Sequence, residues 1–188
     1  IGFDMVWIEM EHGTVGYEKM ESLAMATVAG GAVPVARISG FQRDQVLRTL
    51  EAGIRVVVVP MINTGAMAEA LVQNGKFPPL GNRGFNTSSR GLRYGLHPFI
   101  ENFEWANRST YLIGQVETTE AVDNLDDILA VDGLSGLLVG PGDLSVSLGC
   151  TADFDNPVLR DMITSIIRKT RDAGKHAGIM AASMSVIK

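Results

Sequence analysis

The sequence predicts an α/β fold of repeated strand–helix units, read as a (β/α)8 TIM barrel that lacks its first and last strands in this chain. Three observations point there. The apolar runs are rich in Val, Ile and Leu without strict alternation, as in parallel strands buried on both faces. Helical stretches lie between most of them, which suits right-handed βα crossovers and a parallel sheet. Several runs end in a polar group, at Glu9, Glu11 and His12, at Glu117, and at Asp143, where barrels and open α/β sheets bind ligands. A complete barrel takes roughly 250 residues, whereas this chain has 188. A doubly wound open sheet is the second reading, weakened because no Gly-x-Gly-x-x-Gly turn follows the first strand.

Strands are expected at Met5–Met10, Pro34–Ser39, Arg55–Pro60, Tyr111–Glu117, Gly136–Gly140 and His176–Ala181. A helix is expected over Tyr17–Ala29, with Met20, Leu23, Ala24 and Val28 near helical spacing. Gln42–Ala52 places Val46, Leu47 and Leu50 on one side, and Thr64–Val72 is shorter. After it the rhythm breaks. The run from Phe77 to Gly91 mixes Pro, Gly, Arg and aromatic residues and reads as an ordered loop over a site, with disorder as the alternative. Glu120–Ala130 gathers Leu125, Ile128 and Leu129, and Asn156–Ala173 opens with Pro157 and stops at Gly174, a C-cap signal. Ile1–Asp4 leads straight into a strand, and Met184–Lys188 follows a strand-like run without a closing helix, so both ends read as cut. Residues 1–188 form one partial barrel domain in this reading.

Composition narrows the function. Hydrophobic residues at 46% and charged residues at 20% fit a soluble globular domain. A net charge of −5 argues against nucleic acid as a partner. No apolar run reaches the ~18 residues of a membrane span. A single cysteine, Cys150, excludes an intrachain disulfide and fits a reducing, cytoplasmic compartment.

Glu117 and Asp143 end consecutive predicted strands, which in a parallel sheet can be neighbours. Two carboxylates with water and a chelating substrate suit a hard divalent cation such as Mg2+ or Mn2+; the alternative is that Asp143 caps a following helix. The glycines of Gly140-Pro141-Gly142 let a backbone approach an anion, and equally form an ordinary turn. His12, beside Glu9 and Glu11, is placed for acid/base chemistry or metal ligation. Arg37 needs an anionic partner, either Glu9 or Glu11 as a structural bridge or a substrate oxyanion. No lysine ends a strand, which favours metal electrophilicity over a Schiff base.

The motifs from Ile8 to Gly13, Val59-Pro60-Met61, Phe77 to Gly84, Gln115 to Thr118, Asn124 to Ile128 and Gly140 to Ser145 together resemble the HpcH/HpaI aldolase family, in order and over nearly the whole chain. The resemblance implies a (β/α)8 barrel and metal-dependent aldol cleavage that forms pyruvate. It implies Glu117 and Asp143 as metal ligands, with Mg2+, Mn2+ or Co2+ as the cation. It implies His12 as acid/base, Arg37 on the keto oxygen, Gln115 against the pyruvoyl group and the Gly142–Asp143 backbone on its carboxylate. A small 2-keto acid, an aldehyde and a homo-oligomer, trimeric or hexameric, are the implied partners. Two positions depart from the pattern: Glu9 stands where members commonly carry aspartate, and Glu51 where an aspartate can support the histidine. A citrate-lyase-like cleavage of an acyl-CoA, a decarboxylation, and a non-enzymatic keto-acid-binding remnant are the rival readings.

Overall fold

A computed structural model of the chain describes residues 2–181, and the expectation for Met184–Lys188 lies outside them. The chain divides into two compact units, Ile1–Val59 with Ala70–Leu112, and Pro60–Glu69 with Ile113–Lys188. Both are α/β and their strands pair in parallel.

In the first unit, β1 (Met5–Glu9), β2 (Val33–Arg37) and β3 (Val56–Val59) lie side by side, with Glu9 opposite Arg37 and Arg37 opposite Val58. The connections are α1 (Tyr17–Ala29) and α2 (Arg43–Glu51). Buried Met20, Ala24 and Thr27 mark the inward stripe of α1. Val28, expected there, is 55% exposed; Thr27 takes the inward place and returns its hydroxyl to the Leu23 carbonyl at 2.8 Å. The α2 start is closed by a reciprocal pair between Gln42 and Gln45, a capping box built from glutamines. Burial on both strand faces holds for Val57–Val59 but not for β1, where Met5, Val6 and Trp7 are exposed.

The run expected as loop, Phe77–Gly91, leads into a short kinked turn over Arg90–Gly95, and beyond it lies a helix for which no element was expected, α4 (Phe99–Ser109). Phe77 stacks on Phe103 with centroids 4.2 Å apart, and Phe85 meets Phe99 and Phe103 edge-on. The segment runs along α2: a side chain at Gly84 would meet Arg43 and Leu47, and one at Gly91 would lie 2.1 Å from the Leu50 carbonyl. It is therefore ordered by packing on α2.

In the second unit, β4 (Tyr111–Val116, of which Ile113 onward belongs here), β5 (Gly136–Val139) and β6 (His176–Ile179) pair in sequence order, with Val116 opposite Val139. Helix α3 (Gly65–Gly75) begins here and ends in the first unit. The single helix expected over Glu120–Ala130 is two, α5 (Thr119–Asp123) and α6 (Leu125–Leu129), broken at Asn124, whose amide reaches the Asn63 carbonyl at 3.0 Å. Helix α7 (Pro141–Leu148) starts immediately after β5 with Pro141 at its first position. Helix α8 (Pro157–Asp172) is capped by Asn156 and buries Leu159, Ile166 and Thr170 along one face. Among the described residues no helix is long and apolar enough to cross a membrane.

Candidate active site

Each unit gathers polar residues where its strands end. In the first, the parallel register sets Glu9 beside Arg37. Arg37 donates through Nε to Glu9 Oε2 at 2.8 Å and its Nη2 lies 2.7 Å from the same oxygen. Its Nη1 is 3.2 Å from Glu11 Oε2. Of the alternatives for Arg37, a structural bridge therefore forms, to both carboxylates. A guanidinium carries five N–H donors, so the bridge leaves donors over.

Glu9 is the centre of this cluster. Oε2 also accepts from the Trp7 indole at 3.0 Å, while Oε1 accepts from the backbone N–H groups of Glu11 and His12 at 2.8 and 3.1 Å. Burial works to raise this carboxyl, but the hydrogen bonds from Arg37, Trp7, His12 and Glu11 outweigh it and hold the group at about 2. The glutamate is thus fully ionised and shapes the turn that follows it. Gly13 completes that turn, since a Cβ there would stand 2.6 Å from the Glu9 carbonyl oxygen. The His12 imidazole projects into solvent, with Nε2 3.8 Å from Glu11 Oε2.

Glu51 is not part of this group. It is the last residue of α2, which runs back against the strands, so it stands at the edge where β3 begins. Its contacts there are Asn86, at 3.5 Å, and the charge of Arg83.

In the second unit, Glu117 follows β4 directly and is 2% exposed. Oε1 accepts the backbone N–H of Met61 at 2.8 Å, and Oε2 accepts a short hydrogen bond from the Gln115 amide. Met61 holds φ at 54°, a conformation uncommon for a residue with a side chain and a mark of functional sites. Gln115 Oε1 is buried without a hydrogen-bond partner. The β4–β5 register brings Gly140 against this pair, its N–H on the Val116 carbonyl at 3.0 Å. A Cβ at Gly140 would stand 2.7 Å from Glu117 Oε2 and 2.9 Å from Gln115 Nε2. The position is a cradle that a side chain would fill. Asp143 lies in the first turn of α7, exposed, and that turn is tied by Ser145 Oγ to the Gly142 carbonyl at 2.6 Å. Thr118 caps α5 and also bonds Asn63 at 2.8 Å, which fixes the Met61–Asn63 turn behind Glu117.

Among the described residues no three His, Cys, Asp or Glu side chains gather as a metal-binding group. A cation at Glu117 and Asp143 would accordingly draw its other ligands from solvent and substrate. The donors still fit a hard divalent ion: they are carboxylates, one of them held by two hydrogen bonds, as ligating carboxylates usually are. Sequence reasoning gave Met61 and Trp7 no role. Their contacts come from the polypeptide N–H of one and the indole of the other, which no catalytic residue type signals.

The comparisons with known proteins agree with the fold. The 2-keto-3-deoxy-L-rhamnonate aldolase of Klebsiella pneumoniae is 36% identical over 182 residues, covering 96% of this chain and 67% of that enzyme. The crystal structure of an HpcH/HpaI aldolase from Desulfitobacterium hafniense superposes with a TM-score of 0.91 at 26% identity, over 98% of this chain and 71% of that one. A citrate lyase beta subunit from M. tuberculosis, complexed with oxaloacetate and magnesium, is alike in fold only, at 19% identity and a TM-score of 0.60, over 97% of this chain and 71% of that one. The sequence model of one family, described as HpcH/HpaI aldolase/citrate lyase, matches residues 1–187. This chain belongs to the HpcH/HpaI aldolase/citrate lyase family.

Proposed function

We propose that this chain is a carbon–carbon lyase, a metal-dependent class II aldolase that cleaves a 4-hydroxy-2-keto acid to pyruvate and an aldehyde. The observation that carries the reading is the buried Glu117 carboxylate at the end of β4, pinned by Met61 and Gln115 and closely approached by the side-chain-free Gly140. Its context is a family of aldolases and a relative whose name is that of a keto-acid aldolase.

Glu117 and Asp143 are the residues that would hold a divalent cation, Mg2+, Mn2+ or Co2+. When bound, such an ion supplies the positive charge that polarises a carbonyl. Gln115 presents a buried amide whose oxygen lacks a partner, and it orients Glu117 while facing the pyruvoyl group. The Gly142 and Asp143 N–H groups, in the first turn of α7, suit a substrate carboxylate. His12 serves as the base that takes the proton from the 4-hydroxyl as the C3–C4 bond breaks, and as the acid that returns a proton to the pyruvate enolate. Arg37, held rigid by Glu9 and Glu11, offers its remaining N–H donors to the oxygen that gains negative charge. Glu9 and Glu11 are supporting groups. A supporting role for Glu51 in this chemistry has no contact behind it within its own unit.

The α/β units and the likeness to a longer aldolase support a (β/α)8 barrel, of which the described residues supply six strands. A homo-oligomer, trimer or hexamer, and a cytoplasmic location complete the reading.

Pyruvate release from 4-hydroxy-2-keto acids, followed with lactate dehydrogenase and NADH with and without EDTA, tests it. The expected result is loss of turnover in chelator and recovery on adding Mg2+ or Mn2+. Full turnover after metal removal, verified by elemental analysis, would refute the metal role. Acyl-CoA esters in a parallel assay distinguish the citrate-lyase-like reaction. Unchanged turnover in Glu117→Ala and Asp143→Ala would overturn the assignment of both residues.

A further inference from the structure

The first unit buries cations that its own hydrogen bonds leave unsatisfied. Arg83 is 5% exposed, and none of its Nε, Nη1 and Nη2 has a hydrogen-bond partner. Its guanidinium carbon lies 4.9 Å from the Phe77 ring centroid. Arg55 donates from Nη2 to the Gly91 carbonyl at 3.0 Å, but Nη1 is buried without a partner. Arg55 and Arg93 share the Trp105 ring, at 4.0 and 4.2 Å from its centroid. Lys76 is also buried, its Nζ capped by the Asn107 and Thr110 carbonyls at 2.7 and 2.6 Å. Burial and then the neighbouring cations lower all three groups, Lys76 to about 8 and Arg55 and Arg83 to about 10, with Glu51 acting in the opposite direction on Arg83.

These facts favour an occupant. Buried polar groups in folded proteins are almost always hydrogen-bonded, and a buried charge without a partner is costly. At pH 7 the arginines cannot escape by losing a proton. Water could accept hydrogen bonds but would do nothing for the mutual repulsion of Lys76, Arg83 and Arg55. An oxyanion does both, and a planar guanidinium fork matches carboxylate and phosphate geometry.

We propose that Arg83 and Arg55 form a binding site for a small oxyanion, enclosed by the Phe77–Gly95 segment. Arg55 immediately precedes β3, so the site lies at the edge of this unit's strands opposite Glu9 and Arg37. Its occupant acts on stability and not on turnover.

The test is equilibrium dialysis of the whole chain in EDTA against inorganic phosphate, sulfate and acetate, with chloride at matched ionic strength as control. Thermal melts run in parallel. The expected result is saturable, near-stoichiometric binding of at least one oxyanion, with a rise in Tm of roughly 5–10 °C at a hundredfold excess over Kd. Phosphate and sulfate against acetate separates a tetrahedral ligand from a carboxylate. Binding should disappear in Arg83→Met and weaken at least tenfold in Arg55→Gln. Should Arg83→Met fail to fold, Arg55→Gln and the wild-type isotherm still decide. No saturable binding to the wild-type chain, or binding undiminished in a folded variant, would overturn the proposal.

Discussion

Gly140→Ala probes the candidate metal site with one carbon atom. The backbone accepts the change, since φ is −101° and ψ is 88°, open to any L residue. The new methyl would stand 2.7 Å from Glu117 Oε2, about 0.7 Å inside the 3.4 Å at which ordinary contact begins. It would also press on Gln115 Nε2 at 2.9 Å and Glu117 Cβ at 3.0 Å. Neither side chain is free to swing away, because Oε1 is tied to the Met61 N–H and both groups are buried. Overpacking of this kind costs about 1–3 kcal/mol. At this chain length that is a fall in Tm of roughly 2–12 °C. Metal ligands tolerate about ±0.2 Å, and disturbed supporting contacts weaken metal binding by roughly 10–100-fold. A titration of Mn2+ against turnover should show that shift in midpoint. Gly142→Ala is the control, for a Cβ there meets nothing within 4 Å, and its Tm should stay within about 2 °C of wild type. If Gly140→Ala matches wild type in metal midpoint and kcat, the Glu117 carboxylate is not a ligand held by this cradle.

Two pH dependences follow from the charges of the first unit. Glu9 is held at about 2 against a usual 4.5, so its contribution to stability is complete above about 4.5 and is lost as pH falls through about 2; urea melts between pH 5 and pH 2 should show a slope that Glu9→Gln reduces. Lys76 behaves in the opposite sense. Its folded value of about 8 lies below the usual 10.5, so between those values the unfolded chain holds the extra proton. Its term in stability therefore rises from pH 8 to 10.5, by at most about 3 kcal/mol. Melts of wild type and Lys76→Met should diverge across that range, and parallel curves would show that the lysine is not strained by burial.

All six strands were legible as short, mainly apolar runs set between helical stretches, and every one lies within two residues of its expected bounds. Helix α1 was read residue for residue. What was missed had competing signals. Helix α4 follows Pro98 and a stretch crowded with Gly, Ser and Arg, so turn chemistry masked the start of Phe99–Ser109. The break at Asn124 depends on a bond to Asn63, which lies 61 positions away. At the candidate site, strand ends marked Glu9, Glu117 and Asp143, but local sequence could not show that Glu9 would gather four hydrogen-bond donors or that Met61 would turn to positive φ beneath Glu117. Glu51 illustrates the converse. A position inferred by likeness has a plausible charge, yet the return of α2 carries it to the far edge of its own unit.

That separation organises the charges of the first unit. Where β1 and β2 end, two carboxylates enclose one guanidinium and leave its spare donors and an exposed imidazole available. Where β3 begins, cations outnumber their acidic neighbour and are shut away from solvent behind aromatic rings. In barrel enzymes the first edge is the one that carries chemistry and the second the one that carries stability. The same distinction explains why Arg37 and Arg83, both largely buried, are read differently. Arg37 is satisfied by its own chain and keeps donors in reserve, which suits a group that must be in place before substrate arrives. Arg83 has no hydrogen bond to its own chain, which is tolerable only if something other than polypeptide completes it.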